Sequence, residues 1–238
     1  MTNEKNMKKI AAEHAAKYVQ DGMRIGLGTG STAYYAILKI GEMVRGGLNI
    51  QAVATSEASE RLAVEQGISL TPVQHMDRLD LTIDGADELD DRLRLIKGGG
   101  GALLREKITA YQSDRLVIVA DEVKQVTQLG AFPLPVEIVP FAYEWTVQSL
   151  ARLGCSVQIR RNLSEGFYVT DNGNYIADCK FQLITHPEEL SMRLGSIPGV
   201  VEHGLFIGMA DQAIIGCQDG TVRILHSGSS EAKNIFDS

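Results

Sequence analysis

Between residues 79 and 107 the chain reads LDLTIDGADELDDRLRLIKGGGGALLREK, joining an apolar alternation to carboxylates, a lysine and four consecutive glycines. Leu79, Leu81 and Ile83 alternate as a strand does, and Asp84-Gly85-Ala86-Asp87 follows where a parallel sheet opens at its carboxyl edge. The glycines at 98–101 leave a backbone free to take positive φ and to approach a ligand closely, with peptide N–H groups left over to bind an anion. Lys97 adds a positive charge, expected to be mobile. Residues 102–112 read as a helix with Leu103, Leu104, Ile108 and Tyr111 on one face and Glu106 at its margin, leaning toward the glycines and Lys97. Each piece alone has a plainer reading: Asp-Gly is a common turn, residues 90–94 fit a solvated loop, and a glycine run fits a hinge. A turn or hinge does not require Lys97 and Glu106 to bracket the glycines, so the stretch reads as an active site.

Upstream, a short strand at 23–27 runs into Gly28-Thr29-Gly30-Ser31-Thr32 and then a helix at 33–44. N–H groups at a helix start are unpaired and carry partial positive charge, and Ser31 and Thr32 add hydroxyl donors, so this turn can hold a phosphate without a metal. Gly28, Gly30 and Ala33 also satisfy G-x-G-x-x-A, which brings in a dinucleotide fold and an NAD-linked oxidoreductase. The acidic ribose contact that reading needs is missing, because the next strand, 51–54, leads to Thr55-Ser56-Glu57, with serine at the telling position. Thr55, Ser56 and Ser59 read as a polar helix cap or as further substrate contacts.

The segments GLGTGSTA, TIDGADE, IKGGGGALLREK, VIVADEVKQV and FPLPVEIVP, in this order, resemble the motifs of ribose-5-phosphate isomerase type A across residues 8–222. The resemblance implies a metal-free, cofactor-free enzyme that interconverts ribose 5-phosphate and ribulose 5-phosphate through an enediolate in the non-oxidative pentose phosphate pathway. It also implies a homodimer. An aldose-ketose isomerase needs a base and a stabiliser for the developing oxyanion, and Glu106 and Lys97 supply these. Asp84 suits the proton movement that opens the sugar ring, and Asp87 can orient hydroxyls, although the sequence leaves open which aspartate does which. The substrate-binding set is Thr29, Gly30, Ser31, Thr32, Gly85, Ala86, Gly98, Gly99, Gly100, Lys124 and, through the resemblance, Lys8. One departure is Gly101, where the family usually has alanine; a glycine there is expected to loosen the helix start by roughly 1 kcal/mol. The same fold without need of Glu106 would serve a phosphosugar-binding sensor.

The remaining sequence sets the frame. Residues 116–120 form an almost continuous apolar run, as expected of a parallel strand covered on both faces, and Asp121 after it reads as a local helix cap with Lys124 exposed. A boundary falls at Phe132-Pro133-Leu134-Pro135, where two prolines interrupt regular structure. Beyond it come a strand at 136–139, a helix at 143–153, a strand at 156–160, a hairpin of 167–170 with 175–181, a helix at 187–194 and a strand at 200–207. That order approximates β-α-β-β-α-β, the ferredoxin-like pattern. A closing hairpin at 213–225 returns to the first unit. The expected architecture is α/β: a Rossmann-like parallel-sheet domain of residues 1–132 plus 208–226, a smaller ferredoxin-like α+β domain of residues 133–207, and a disordered tail at 227–238.

A net charge of −7 argues against a nucleic-acid surface. Cys155, Cys179 and Cys217 are odd in number and widely spaced, which suggests buried thiols in a reducing compartment rather than a disulfide framework or a metal knuckle. Residues 7–20 read as an amphipathic helix rather than a targeting segment, no run is long enough to span a bilayer, and a cytoplasmic protein is inferred. His75 stands alone and reads as structural.

Overall fold

The computed structural model describes residues 3–228. Six strands make the larger sheet: β1 (Arg24–Leu27), β2 (Gln51–Ala54), β3 (Leu81–Gly85), β6 (Leu116–Asp121), β12 (Gln212–Gly216) and β13 (Val222–His226), in the order β13-β12-β6-β3-β1-β2. All neighbours are parallel except the closing hairpin of β12 with β13. Every residue of β6 is buried, which is why its sequence shows no alternation. Val117 and Val119 pack on one face with α1 (Asn3–Ala16), α2 (Ser31–Arg45) and α3 (Glu57–Glu65), while Leu116, Ile118 and Ala120 pack on the other. The inner side of α1 is alanine at 11, 12, 15 and 16, all fully buried, so the helix lies close on the sheet. A Cβ added to Gly216 of β12 would overlap the carbonyl of Met7. This tight seat fixes the position of Lys8.

The other face is covered by α4 (Leu103–Tyr111) and by a three-stranded sheet of β4 (Glu88–Leu89), β5 (Leu95–Ile96) and β11 (Leu205–Phe206), in the order β11-β5-β4. The buried side of α4 is Leu103, Glu106, Thr109 and Ala110, whereas Ile108 and Tyr111 are 57% and 77% exposed. The expected apolar face is therefore corrected. Position 106 points inward because the helix packs around a polar site, and two large apolar residues face outward in compensation.

The second unit is a four-stranded antiparallel sheet of β7 (Leu134–Ile138), β8 (Ser156–Ile159), β9 (Tyr175–Lys180) and β10 (Val200–His203), with α5 (Tyr143–Ala151) and α6 (Pro187–Gly195). Its order β10-β7-β9-β8 is the ferredoxin-like one, fourth-first-third-second in chain order. β9 pairs with β7 and β8, and the expected hairpin strand at 167–170 makes isolated bridges, Arg161 to Phe167 and Val169 to Tyr175. Leu70 likewise makes an isolated bridge, to Ala52 of β2. Of the expected tail, residues 229–238 lie outside the described residues. Among the described residues, no helix is long and apolar enough to cross a membrane.

Candidate active site

Strands β1 and β3 are adjacent and parallel, with Leu27 opposite Ile83, so the turn after one meets the carboxylate that ends the other. Gly28 donates to the Ile83 carbonyl at 2.9 Å, and a side chain at Gly28 would collide with Asp84. Asp84 Oδ1 accepts from the N–H groups of Thr29 (3.0 Å) and Gly85 (2.7 Å). Its other oxygen, Oδ2, lies 3.0 Å from Lys97 Nζ, which is 3.3 Å from Glu106 Oε1 and donates to the Gly85 carbonyl. Asp84, Lys97 and Glu106 are exposed by only 1%, 2% and 4%. Lys97 is thus pinned rather than mobile, and the Phe206 ring, 5.4 Å away, closes its apolar side.

The electrostatics follow from that burial. Desolvation, joined by repulsion from Asp84, pushes the Glu106 carboxyl up to about 8 against the opposing pull of Lys97. Burial also raises Asp84, again opposed by Lys97. For Lys97 burial disfavours the charge, but attraction to Asp84 and Glu106 outweighs it and the ammonium is held above its ordinary range. Glu106 Oε2 is buried without a hydrogen-bond partner, leaving a lone pair available for a proton. Asp87, half-buried, accepts from Gly99 N–H at 2.7 Å. Ala86 packs into the core beneath the sheet, so of the Gly85-Ala86 pair it is the Gly85 backbone that faces Lys97.

The first glycine turn is built differently. Gly30 has φ 108° and caps α2 with no side-chain hydrogen bond, and nothing lies within 4 Å of where its Cβ would be. A cavity of about 530 Å³ opens there, lined by Thr29, Gly30, Ser31, Ser59, Lys5 and Lys8 among others. Ser31 is exposed and Thr32 buried. The Thr29 hydroxyl is engaged by those of Thr55 (2.7 Å), Ser56 (2.8 Å) and Ser59 (3.2 Å), all three buried. Ser56 caps α3 through Ser59 N–H, so this cluster is a helix cap and a buttress for Thr29 rather than a set of solvent-facing contacts. The two glycine segments meet: a Cβ on Gly100 would sit 3.5 Å from Thr29 Cγ2.

Lys8 Nζ lies 2.5 Å from Glu4 and 3.8 Å from Asp121 Oδ2. Asp121 is fully buried and sits at the N-cap position of the turn Glu122–Lys124, but its side chain makes no capping hydrogen bond; it alternates with Val117 and Val119 onto the α1 side of the sheet. Lys124 is half-buried on the following turn, 5.9 Å from the Phe132 ring centroid. Lys8, through hydrogen bond and charge, and more weakly Lys124, hold Glu4 below the usual carboxylate range, which places both cations at this edge. Gly101 lies outside α4, whose cap is Ala102; it has φ 79° and an added Cβ would overlap the Tyr168 ring. The loosened helix start is therefore corrected, since the glycine serves a left-handed turn beneath an aromatic side chain. Phe206, Arg160 and Tyr168 escaped the sequence reading because they are distant in the chain and match no motif.

Residues 51–220 match the model of the family described as ribose 5-phosphate isomerase A (phosphoriboisomerase A). The ribose-5-phosphate isomerase A of Bacillus mycoides is 53% identical over 216 residues, 90% of this chain and 97% of that one. That of Sphingopyxis alaskensis is 50% identical over 230 residues, 97% and 100% of the two chains. Among solved structures, the ribose 5-phosphate isomerase of Plasmodium falciparum superposes with a TM-score of 0.90 at 41% identity, covering 94% of this chain and 100% of that chain. A D-ribose-5-phosphate isomerase in complex with phospho-erythronic acid superposes at 0.89 with 40% identity, covering 92% and 97%. Relatives of this identity and coverage, together with the family match over more than half its length, show that the chain belongs to the ribose 5-phosphate isomerase A family.

Proposed function

We propose that the chain interconverts D-ribose 5-phosphate and D-ribulose 5-phosphate through an enediolate, with Glu106 as the base. The observation that carries this is the Glu106 carboxyl: buried, raised to about 8, one oxygen on Lys97 and the other free. A base that titrates near working pH is well matched to removing the weakly acidic proton at C2 and returning it at C1. Lys97 and the N–H groups of the loop at Gly98 and Gly100 stabilise the negative charge that develops on the oxygens, with the Gly99 N–H holding Asp87, so the step needs no divalent ion. Asp84, tied to Lys97 and likewise raised, moves the proton between ring oxygen and hydroxyl, and Asp87 orients the sugar hydroxyls. The phosphate sits at the start of α2 on Gly30, Ser31 and Thr32, with Thr29 buttressed behind it and Lys8 and Lys124 as counter-charges.

In this reading residues 1–132 with 208–226 form the catalytic unit and residues 133–207 the second, supported by the return of β12 and β13 to the larger sheet. The enzyme acts as a cytoplasmic homodimer, supported by three free cysteines and by exposed large apolar side chains such as Phe141 and Trp145. A phosphosugar sensor on the same fold would gain nothing from burying Glu106 beside Asp84, where the charged carboxylate is disfavoured. The test is a direct assay of ribulose 5-phosphate formed from ribose 5-phosphate by the purified protein. Turnover is expected; binding of the phosphosugar without turnover would favour the sensor.

A further inference from the structure

The glycine loop is held from the smaller domain. Arg160, which follows β8, donates from Nη1 to the carbonyls of Gly98 (2.9 Å) and Gly99 (3.0 Å). The rest of its guanidinium is fixed by Asp178 of β9, which accepts from Nε at 3.0 Å and from Nη2 at 2.5 Å. Tyr168 lies beside it, with its ring centroid 5.8 Å from the guanidinium carbon, and donates its hydroxyl to the Gly100 carbonyl at 3.3 Å. Three successive carbonyls of the loop are therefore drawn toward one side.

In a planar trans peptide the carbonyl of one residue and the N–H of the next point in opposite directions. Holding the carbonyls of Gly98 and Gly99 toward the smaller domain turns the N–H groups of Gly99 and Gly100 away from it, while the Gly101 N–H closes a turn back onto the Gly98 carbonyl at 2.9 Å. Gly99 N–H accordingly meets Asp87 on the opposite side. Without side chains, glycines would otherwise sample many such orientations. We propose that Arg160 and Tyr168 are positioning residues: they hold the glycine loop with the Gly99 N–H on Asp87 and the Gly100 N–H aimed at the reacting oxygens, so the smaller domain sets the geometry of a site whose catalytic groups all lie outside it. An arginine suits this because its planar fork serves two carbonyls and both oxygens of a carboxylate at once, four acceptors against the three donors of an ammonium.

The inference rests on the isomerase reading, and its test separates the two. Wild type, Arg160→Lys, Arg160→Ala and Tyr168→Phe are assayed with ribose 5-phosphate, with Arg161→Gln, a neighbouring exposed arginine, as control. Misplacing a donor by ~1 Å costs about 10²-fold, so kcat of the Arg160 variants is expected to fall roughly ten- to a hundred-fold. Their KM should stay within about threefold, because the phosphate is held by the other turn. Tyr168→Phe should lose less, and Arg161→Gln should match the wild type. Added guanidinium ion, at concentrations too low to unfold the protein, should restore part of the kcat of Arg160→Ala, and ammonium should not. Arg160 variants with lowered melting temperature but unaltered kcat would make the residue a mere strut and overturn the proposal. A wild type that does not isomerise the sugar would instead overturn the functional reading. The clamp would then be decided by amide exchange at Gly99 and Gly100, faster in Arg160→Ala if the proposal holds and unchanged if it does not.

Discussion

The glycine turn at 28–32 and the glycine loop at 97–101 face each other across the site, yet they are held in opposite ways. In the first, Gly28 and Thr29 are tied to β3 and to the hydroxyls that cap α3, but beyond them Gly30 takes φ 108° with nothing packed against it and α2 begins over an open cavity. The second is set by distant partners. Lys97 is anchored by Asp84 and Glu106, Gly99 by Asp87, and the loop carbonyls by Arg160 and Tyr168. An anion of fixed charge, such as a phosphate, needs only donors in the right place. A charge that appears and disappears during a reaction needs donors that do not relax, in surroundings dry enough to shift a proton affinity.

If that contrast is right, substitutions in the second segment should mainly lower turnover and those in the first mainly weaken binding. The largest expected effect is at Glu106. Glu106→Gln keeps the shape and removes the base, and kcat should fall by roughly 10² to 10⁴ with KM little changed. The same assay across pH sharpens the point. With the Glu106 carboxyl at about 8, the wild-type kcat/KM should climb as pH rises toward that value, because only the deprotonated form accepts a proton. The residual rate of Glu106→Gln should lack that climb, and a near-normal variant would remove Glu106 from the role. Next comes Lys97→Met, expected to slow turnover by about 10² to 10³, the range for loss of one donor from an oxyanion site. Wild type dialysed against EDTA, with metal removal verified by elemental analysis, should keep its rate; activity lost and restored by Zn²⁺ or Mn²⁺ would break the assignment of the charge to Lys97.

The smallest effect on turnover belongs to the first segment. Gly30→Val should raise KM for the phosphosugar roughly tenfold or more while kcat moves only a few-fold, since a Cβ would project into the open cavity and the positive φ disfavours valine. A folded variant with unaltered KM would place the phosphate elsewhere.

The same division governs what could be read from the chain alone. The glycine turn at 28–32, the strand-end aspartates and the apolar run at 116–120 are local patterns, and each appears in the structure where periodicity and turn chemistry put it. The fold order of the smaller domain was legible for the same reason. Asp121 misled because a carboxylate after a strand looks like a cap, and only the packing of α1 on the sheet shows it buried beside Lys8. Ile108 and Tyr111 leave the face that apolar spacing assigns them with Leu103, because α4 turns Glu106 toward Lys97 and Thr109 toward β1. Arg160 and Tyr168 carry no local signal, since their partners are backbone carbonyls more than sixty residues away.

The central claim, proton transfer through an enediolate at Glu106, is met most directly with ribose 5-phosphate carrying deuterium at C2. The reaction is run in ordinary water, and the label in recovered ribulose 5-phosphate is followed by mass spectrometry. A carboxylate that takes up the deuteron and exchanges with solvent before returning a proton predicts product depleted in label, together with a slower turnover of the labelled sugar if the transfer limits the rate. Complete retention of the deuterium at C1 of the product, persisting in the turnover of Glu106→Gln at an undiminished rate, would mean that the hydrogen crosses directly between the two carbons, and would contradict the account.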